Sequence, residues 1–357
     1  MMAGCGTTGH AQEASQIAVN PDASRIPSPD TSQPRDLLAH EFAMPGLIAD
    51  MNSEEFFGAI QARLGAYASL PVGEAHAQLS LQNAVLPAHV TLPLSGNGRW
   101  FIKLGAAQIW ASAADKGTRL VDSESTTALA QIQFRPRAGT LLGLGAIYES
   151  NAIHFDQGGR LSLIGAGVRF DLLQRLGDHA GLAVKASWLD GRTAVSIPLP
   201  GNVRITDHAS SPRLYLQAGL IGNFSSRDMP WIPQGWSLRP ALHVFAQRTT
   251  TAASVNNLGF MVPRDVQDYA ELAITLRLQR ETRGSGHPAP FAEIGEEQRL
   301  RARVEGRPTD PALAYAKAGV TMRKGGWGFF DAYLAYHDSL NGQMRAVVGE
   351  VLASLTF

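Results

Sequence analysis

The chain has 357 residues, enough for two ordinary domains or one large barrel, with Lys+Arg 31 against Asp+Glu 31 and a formal net charge of +0. That balance supplies no global field for drawing in nucleic acid, which usually goes with a basic excess. The apolar fraction is 45% and mean hydropathy is −0.07. No stretch approaches the ~20 consecutive apolar residues of a membrane-spanning helix, whereas a strand-built barrel, in which only alternate residues meet lipid, is compatible with both values.

In chain order, residues 1–51 come first. They are rich in Ser, Ala, Asp and Gln, are punctuated by Pro21, Pro27, Pro29 and Pro34, and show no sustained periodicity, as expected of a flexible arm. The single cysteine, Cys5, excludes an intramolecular disulfide framework and a Cys-based zinc cluster. Met2-Ala3-Gly4-Cys5 is similar to the end of a bacterial lipoprotein signal, although the apolar stretch of the full pattern is missing.

Residues 52–97 are expected to form a helix and a connector. Asn52 and Glu55 offer a capping box, and Phe56, Phe57, Ile60 and Leu64 recur at helical spacing, with Glu54, Glu55 and Arg63 as the charged positions. A helix from Ser53 to Tyr67 would be roughly 22 Å long, close to the apolar height of an outer-membrane barrel. It could lie in a lumen or pack on a soluble sheet. Pro87 and Pro93 mark the connector.

From residue 98 to 357 period-two segments take over. Trp100, Ile102, Leu104 and Ala106 share one parity, with Arg99 and Lys103 on the other; Ala128, Ala130, Ile132 and Phe134 oppose Gln131, Gln133 and Arg135. Pro136-Arg137-Ala138-Gly139 supplies a tight turn into Leu142, Leu144, Ala146 and Tyr148, which alternate with Gly143, Gly145 and Glu149. The aliphatic rows continue through Ile164 to Phe170, Leu182 to Trp188, Leu214 to Leu220, Leu238 to Val244 and Leu272 to Leu278. Weaker segments follow near Phe291, Tyr315 to Arg323, Phe329 to His337 and Met344 to Phe357. The total is about 12 strands, an even number as closed bacterial barrels require. Long gaps are expected near Asp115, Asn151, Asn202 and Asn257, and tight turns at Pro136 and Lys324-Gly325-Gly326. Aromatic residues gather at strand ends, among them Trp100, Trp110, Tyr148, Phe170, Trp188 and Tyr336, as in the girdles of membrane barrels. In the final strand Val347, Gly349, Val351, Ala353, Leu355 and Phe357 share one face, and an aromatic residue ends the sequence; this closing strand is expected to pair with the one that begins at Arg99.

Helix, connector, about 12 strands and a terminal aromatic residue resemble the translocator domain of bacterial autotransporters, the type V secretion family. The stretches that carry this resemblance are Gly98-Arg99-Trp100-Phe101-Ile102-Lys103, Leu142-Gly143-Leu144-Gly145-Ala146-Ile147-Tyr148, Leu238-Arg239-Pro240-Ala241-Leu242 and Leu352-Ala353-Ser354-Leu355-Thr356-Phe357. The resemblance implies an all-β, transmembrane antiparallel barrel, monomeric, in the outer membrane and in contact with its lipids. It also implies a helix that occupies the pore, and insertion by the outer-membrane barrel assembly machinery through a signal at Phe357. Such proteins carry a large passenger upstream; the residues before Asn52 would be at most a short remnant of one.

On the inward parity fall Arg99, Lys103, Arg135, Arg169, Lys185, Arg213, Arg239, Arg277 and Lys317, with Glu149, Glu271 and Glu350 as the carboxylates, so the lumen is expected to lean basic. Anion-selective permeation and a wall of mutually paired charges are both open readings. His337 and Ser339 form a close pair similar to that used by outer-membrane lipases and deacylases, in which histidine takes the serine proton; a hairpin loop is enough to explain them. No phosphate-binding loop or nucleophile-elbow motif is present, and the 10 histidines lack metal-ligand spacing, so neither cofactor nor metal is expected. The expected role is a conduit or anchor without catalysis; an outer-membrane hydrolase and a soluble β-rich binding protein are the alternatives.

Overall fold

A computed structural model describes residues 73–80, 83–115, 118–155, 158–281, 286–304, 307–308, 312–323, 328–339 and 345–356. The expected helix, with Glu54, Glu55, Phe56, Phe57, Ile60, Arg63 and Leu64, lies outside the described residues, as does Phe357.

Alternation produces strands wherever it was read, and two more. The staves are β1 (Gly73–Ser80), β2 (Asn83–Pro93), β3 (Trp100–Asp115), β4 (Thr118–Arg137), β5 (Thr140–Phe155), β6 (Arg160–Arg175) and β7 (Ala180–Leu199). β8 follows as three collinear pieces, Val203–Ser210, Arg213–Gly222 and Phe224–Ser225. Then come β9 (Trp236–Thr251), β10 (Asp265–Arg280), β11 (Pro288–Val304), β12 (Ala312–Arg323), β13 (Gly328–Ser339) and β14 (Arg345–Thr356). The pieces of β8 count as one stave because the first two keep an unbroken register against β7, from Leu199↔Val203 through Arg192↔Ser210 to Ala180↔Gly222, and the third continues the register of the second against β9, from Ile221↔Ala241 to Phe224↔Leu238.

Fourteen staves therefore stand, among the described residues, where about twelve were expected. The additional pair, β1 and β2, falls inside the segment read as connector. Their sequences, Gly73–Ser80 and Asn83–Pro93, contain Pro87 and few large apolar residues, so propensity alone does not announce them. Neighbouring strands supply the missing stabilisation: β2 pairs with β3 over the whole of Asn83–Pro93. Closure also differs from expectation. The last stave pairs with β1, in register from Glu74↔Thr356 to Ser80↔Glu350, and not with the strand that follows Arg99. Every neighbouring pair is antiparallel and the sheet closes on itself, which leaves no free edge.

Side chains sort by parity. Leu104, Ile132, Leu144, Val168, Leu216, Ile274, Ile294 and Leu334 point outward and stay 40–64% exposed. Spread over eight staves, they make an apolar belt far larger than the patches monomeric soluble proteins show, and a hydrocarbon surround removes that cost. Trp100 and Trp110, both 43% exposed, stand ten positions apart on β3. At about 3.3 Å per residue and a tilt near 40° that separation is roughly 25 Å of height, the thickness of an outer-membrane apolar band. Trp100 stacks on Phe134 of β4 with ring centroids 4.4 Å apart, and Tyr148, Trp188 and Tyr336 occupy similar outward positions.

Both chain ends of the barrel, Gly73 and Thr356, lie at one rim, here called the terminal rim. There the expected tight turn forms at Ala138-Gly139: Gly139 has φ +87°, a left-handed value that glycine adopts without steric cost, and Arg137 Nε donates to Thr140 Oγ1 at 3.0 Å. At the opposite, far rim the predicted long gaps near Asp115 and Asn151 are occupied by strand, because β3, β4 and β5 extend to Asp115, Thr118 and Phe155. β9 pairs with β8 only up to Arg213, so the Val203–Ser210 edge would be bare. The 252–264 connection covers it: Ala252 N donates to Ser210 O at 2.8 Å, Thr206 N to Asn257 Oδ1 at 2.7 Å and Asn257 Nδ2 to Arg204 O at 2.8 Å.

The 226–235 turn at the terminal rim yields a pH prediction. Asp228 accepts from the Ser225 backbone N–H at 2.7 Å and its hydroxyl at 2.9 Å, and these bonds, with His179 beside it, hold the carboxyl below its ordinary value. A depressed folded value means the contribution is complete above the ordinary carboxylate pKa and is lost as pH falls through the folded one. Asp228→Asn is expected to speed exchange of the Ser225 amide at neutral pH. The difference from the natural chain should persist to about pH 4 and close only below it; equal exchange at neutral pH would refute the assignment.

Candidate pore and lumen wall

The inward parity builds a continuous polar wall. Lys103, Arg135, Arg169, Lys185, Arg213, Arg239, Arg277, Lys317 and Glu350 all sit on it. Arg99 instead lies exposed in the 94–99 turn at the terminal rim, one residue before β3 begins.

The expected basic excess is offset by further carboxylates on the same face: Asp171, Glu293 and Asp331. Arg169 Nε donates to Asp171 at 2.8 Å, and Lys185 is the direct cross-strand partner of Asp171. Arg277 of β10 reaches across β11 and β12 to Asp331 of β13 at 2.7 Å, with Glu293 of β11 at 3.9 Å on the way; Lys317 lies 3.4 Å from Glu293. Arg213 of β8 reaches Glu149 of β5 over two intervening staves. Arg239 donates to Gln279 Oε1 at 3.2 Å, and the Tyr333 hydroxyl donates to Glu350 at 2.5 Å. All three follow from parity, since Asp171 shares it with Arg169, one step beyond the row that ends at Phe170, while Glu293 shares it with Phe291 and Asp331 with Tyr333, inside segments already read as strand.

Aromatic rings pave the same sector. Arg277 lies over the Phe291 ring at 3.7 Å, Phe291 meets Tyr333 edge-on at 5.9 Å, and Lys317 is 4.7 Å from the Tyr315 ring centre. Ile109, Phe291, Tyr333, Ala335 and Leu352 form a buried apolar cluster among these charges.

Glycines let long polar side chains lie along the wall rather than project to the axis. A Cβ on Gly143 would come within 2.5 Å of the Gln131 side chain, which crosses β5 at that point to donate to Asp171 on β6 at 3.1 Å. A Cβ on Gly295 would sit 2.4 Å from the Tyr315 ring, whose hydroxyl donates to Glu293 at 3.2 Å. These glycines, read in the sequence only as strand residues, are creases that set the shape of the lumen.

His337 occupies the lumen face, its ring tilted over Tyr315 at 5.8 Å. The side chain of Ser339 lies outside the described residues, so the expected His337–Ser339 pair has no geometry to assess. Among the described residues no group of His, Cys, Asp or Glu has metal-binding geometry, and no helix is long and apolar enough to cross a membrane.

No protein-family model matches the chain, and no curated protein sequence does. Among solved structures, the chain is similar to the translocator domain of the autotransporter NalP from Neisseria meningitidis, at 13% identity and a TM-score of 0.49, over 88% of this chain and 98% of that one. It is also similar to the β domain of the Bordetella autotransporter BrkA, at 14% identity, a TM-score of 0.38 and coverage of 81% and 99%. A third is the monoaromatic hydrocarbon channel CymD, at 9% identity, a TM-score of 0.46 and coverage of 84% and 92%. The chain's own closed register, outward apolar belt and inward charge network make it an all-β transmembrane barrel.

Proposed function

We propose that the chain is an outer-membrane barrel of autotransporter type that serves as translocator or membrane anchor for its N-terminal segment, with the residue 53–67 helix within the lumen. The observation that carries this reading is the position of β1. It closes the barrel against β14 with Glu74 opposite Thr356, so the 72 preceding residues join the wall at the terminal rim, beside the lumen entrance. From there the lumen is a direct route to the far rim. A helix of roughly 22 Å matches that height, and the charges of Glu54, Glu55 and Arg63 suit a wall that alternates Arg and Lys with carboxylates.

In this reading the terminal rim faces the periplasm, Phe357 closes the last strand as the mark recognised by the assembly machinery, and the barrel works as a monomer in outer-membrane lipid. Catalysis at His337 and Ser339 has no support from the setting of His337, whose ring lies against Tyr315 on the lumen wall.

Deleting residues 53–67 is expected to raise single-channel conductance in planar bilayers severalfold while heat-modifiable migration in detergent gels stays intact. Unchanged conductance in the deleted, folded barrel would remove the pore helix. Recovery of the full chain as a detergent-free monomer would remove the membrane reading altogether.

A further inference from the structure

On the outer surface near the far rim, three staves bring two guanidinium groups onto one carboxylate. Arg248 of β9 and Asp268 of β10 are directly opposite in register, with Nε 3.4 Å from Oδ1. Arg301 of β11 approaches the other oxygen, Nη2 to Oδ2 at 2.8 Å. Parity alone would send Arg301 inward with Arg299. A bulge prevents it: Glu271 pairs with Arg299 and Ala270 with Arg301, so Leu300 is an extra residue and Arg301 is turned to the outer face.

Both arginines are more than half exposed, at 59% and 56%, while Asp268 is 11% exposed beneath them. The trio keeps a net positive charge. Its neighbours are apolar: Leu214, opposite Arg248 on β8, is 55% exposed, and Leu300 is 58% exposed. The same cross-strand row continues through Leu214 to Trp188, an outward aromatic residue of the kind that marks a membrane interface. Glu296 lies on the outer face of β11 five positions from Arg301 toward the belt. That is about 16 Å along the strand, beyond the ~8 Å screening length at physiological salt.

We propose that Arg248 and Arg301, oriented by Asp268, form a binding site on the lipid-facing surface for the phosphate of an outer-leaflet glycolipid, lipid A. A guanidinium pair held at the edge of an apolar belt presents forked donors to a phosphate while Leu214, Leu300 and Trp188 meet the acyl chains. The assignment rests on the reading of the far rim as the external one.

The test uses the full chain in nanodiscs, with binding of bisphosphorylated lipid A, dephosphorylated lipid A and phosphatidylglycerol measured by native mass spectrometry. The natural chain should retain bisphosphorylated lipid A preferentially. R248Q/R301Q should bind it about 30-fold more weakly, as for loss of two basic contacts at a lipid surface, while R248K/R301K stays within a few-fold. Equal binding by the natural chain and either folded glutamine variant, single or double, overturns the site. Preference for phosphatidylglycerol overturns the outer-leaflet assignment, and displacement by millimolar inorganic phosphate overturns the lipid as ligand. Heat-modifiable migration and conductance of the same samples report separately on the barrel and pore.

Discussion

Asp331→Ala is expected to destabilise the barrel by about 3 kcal/mol, the low end for breaking a buried ion pair from one side. Asp331 is 1% exposed and Arg277 11%, so the arginine cannot recover its lost partner from water. It would turn to Glu293, already 3.4 Å from Lys317, leaving one carboxylate to serve two cations. Arg277 also keeps its place over Phe291, which limits its escape. The double change Arg277→Met with Asp331→Leu should restore most of the loss, because it removes both charges and refills the volume. Urea unfolding of vesicle-embedded protein, followed by tryptophan fluorescence, reads both values. A loss below about 0.5 kcal/mol for the single variant would place the pair in freely hydrated surroundings.

Ile274→Arg should cost about 2–4 kcal/mol in the same assay, the expectation for a cation near the middle of the lipid-facing band. Ile274 is 54% exposed, so in water the substitution would be nearly neutral, as for other surface changes away from special features. It has Leu272 on one side and Leu276 on the other along the outward row of β10. The cost should fall away toward the rims, where the outward rows of β9 and β10 already carry Arg248 and Arg280. A neutral Ile274→Arg would mean that water and not lipid covers this face. The pair of experiments separates the two solvents of the molecule, since Asp331 reports on the interior and Ile274 on the exterior.

Much of the wall was legible because it follows one rule. Trp100, Ile102 and Leu104 against Lys103, or Leu272, Ile274 and Leu276 against Glu271, state their faces by alternation, and the exposure of the aliphatic rows bears this out. The same rule failed where local chemistry is silent or broken. β1 has Leu79 as its one large apolar residue and β2 is interrupted by Pro87; β1 gains its stability from β14, far along the chain, and β2 from the neighbouring β3. Arg301 breaks parity through a bulge that no local residue type announces.

By itself, then, the sequence determined the strand-rich class, the outward belt, the inward charges and the tight turn at Gly139, because each depends on residues within one or two positions of one another. Only the tertiary structure decided that fourteen staves close through β1. It also decided which cations of the basic wall meet Asp171, Glu293 and Asp331, and that Gln131 and Tyr315 lie across glycines of neighbouring strands. Apart from the local Arg169–Asp171 pair, closure, ion pairing and crossing join residues from more than ten to hundreds of positions apart. Their partners are chosen by register and shear around the whole barrel, a property of the assembled sheet that no single segment contains.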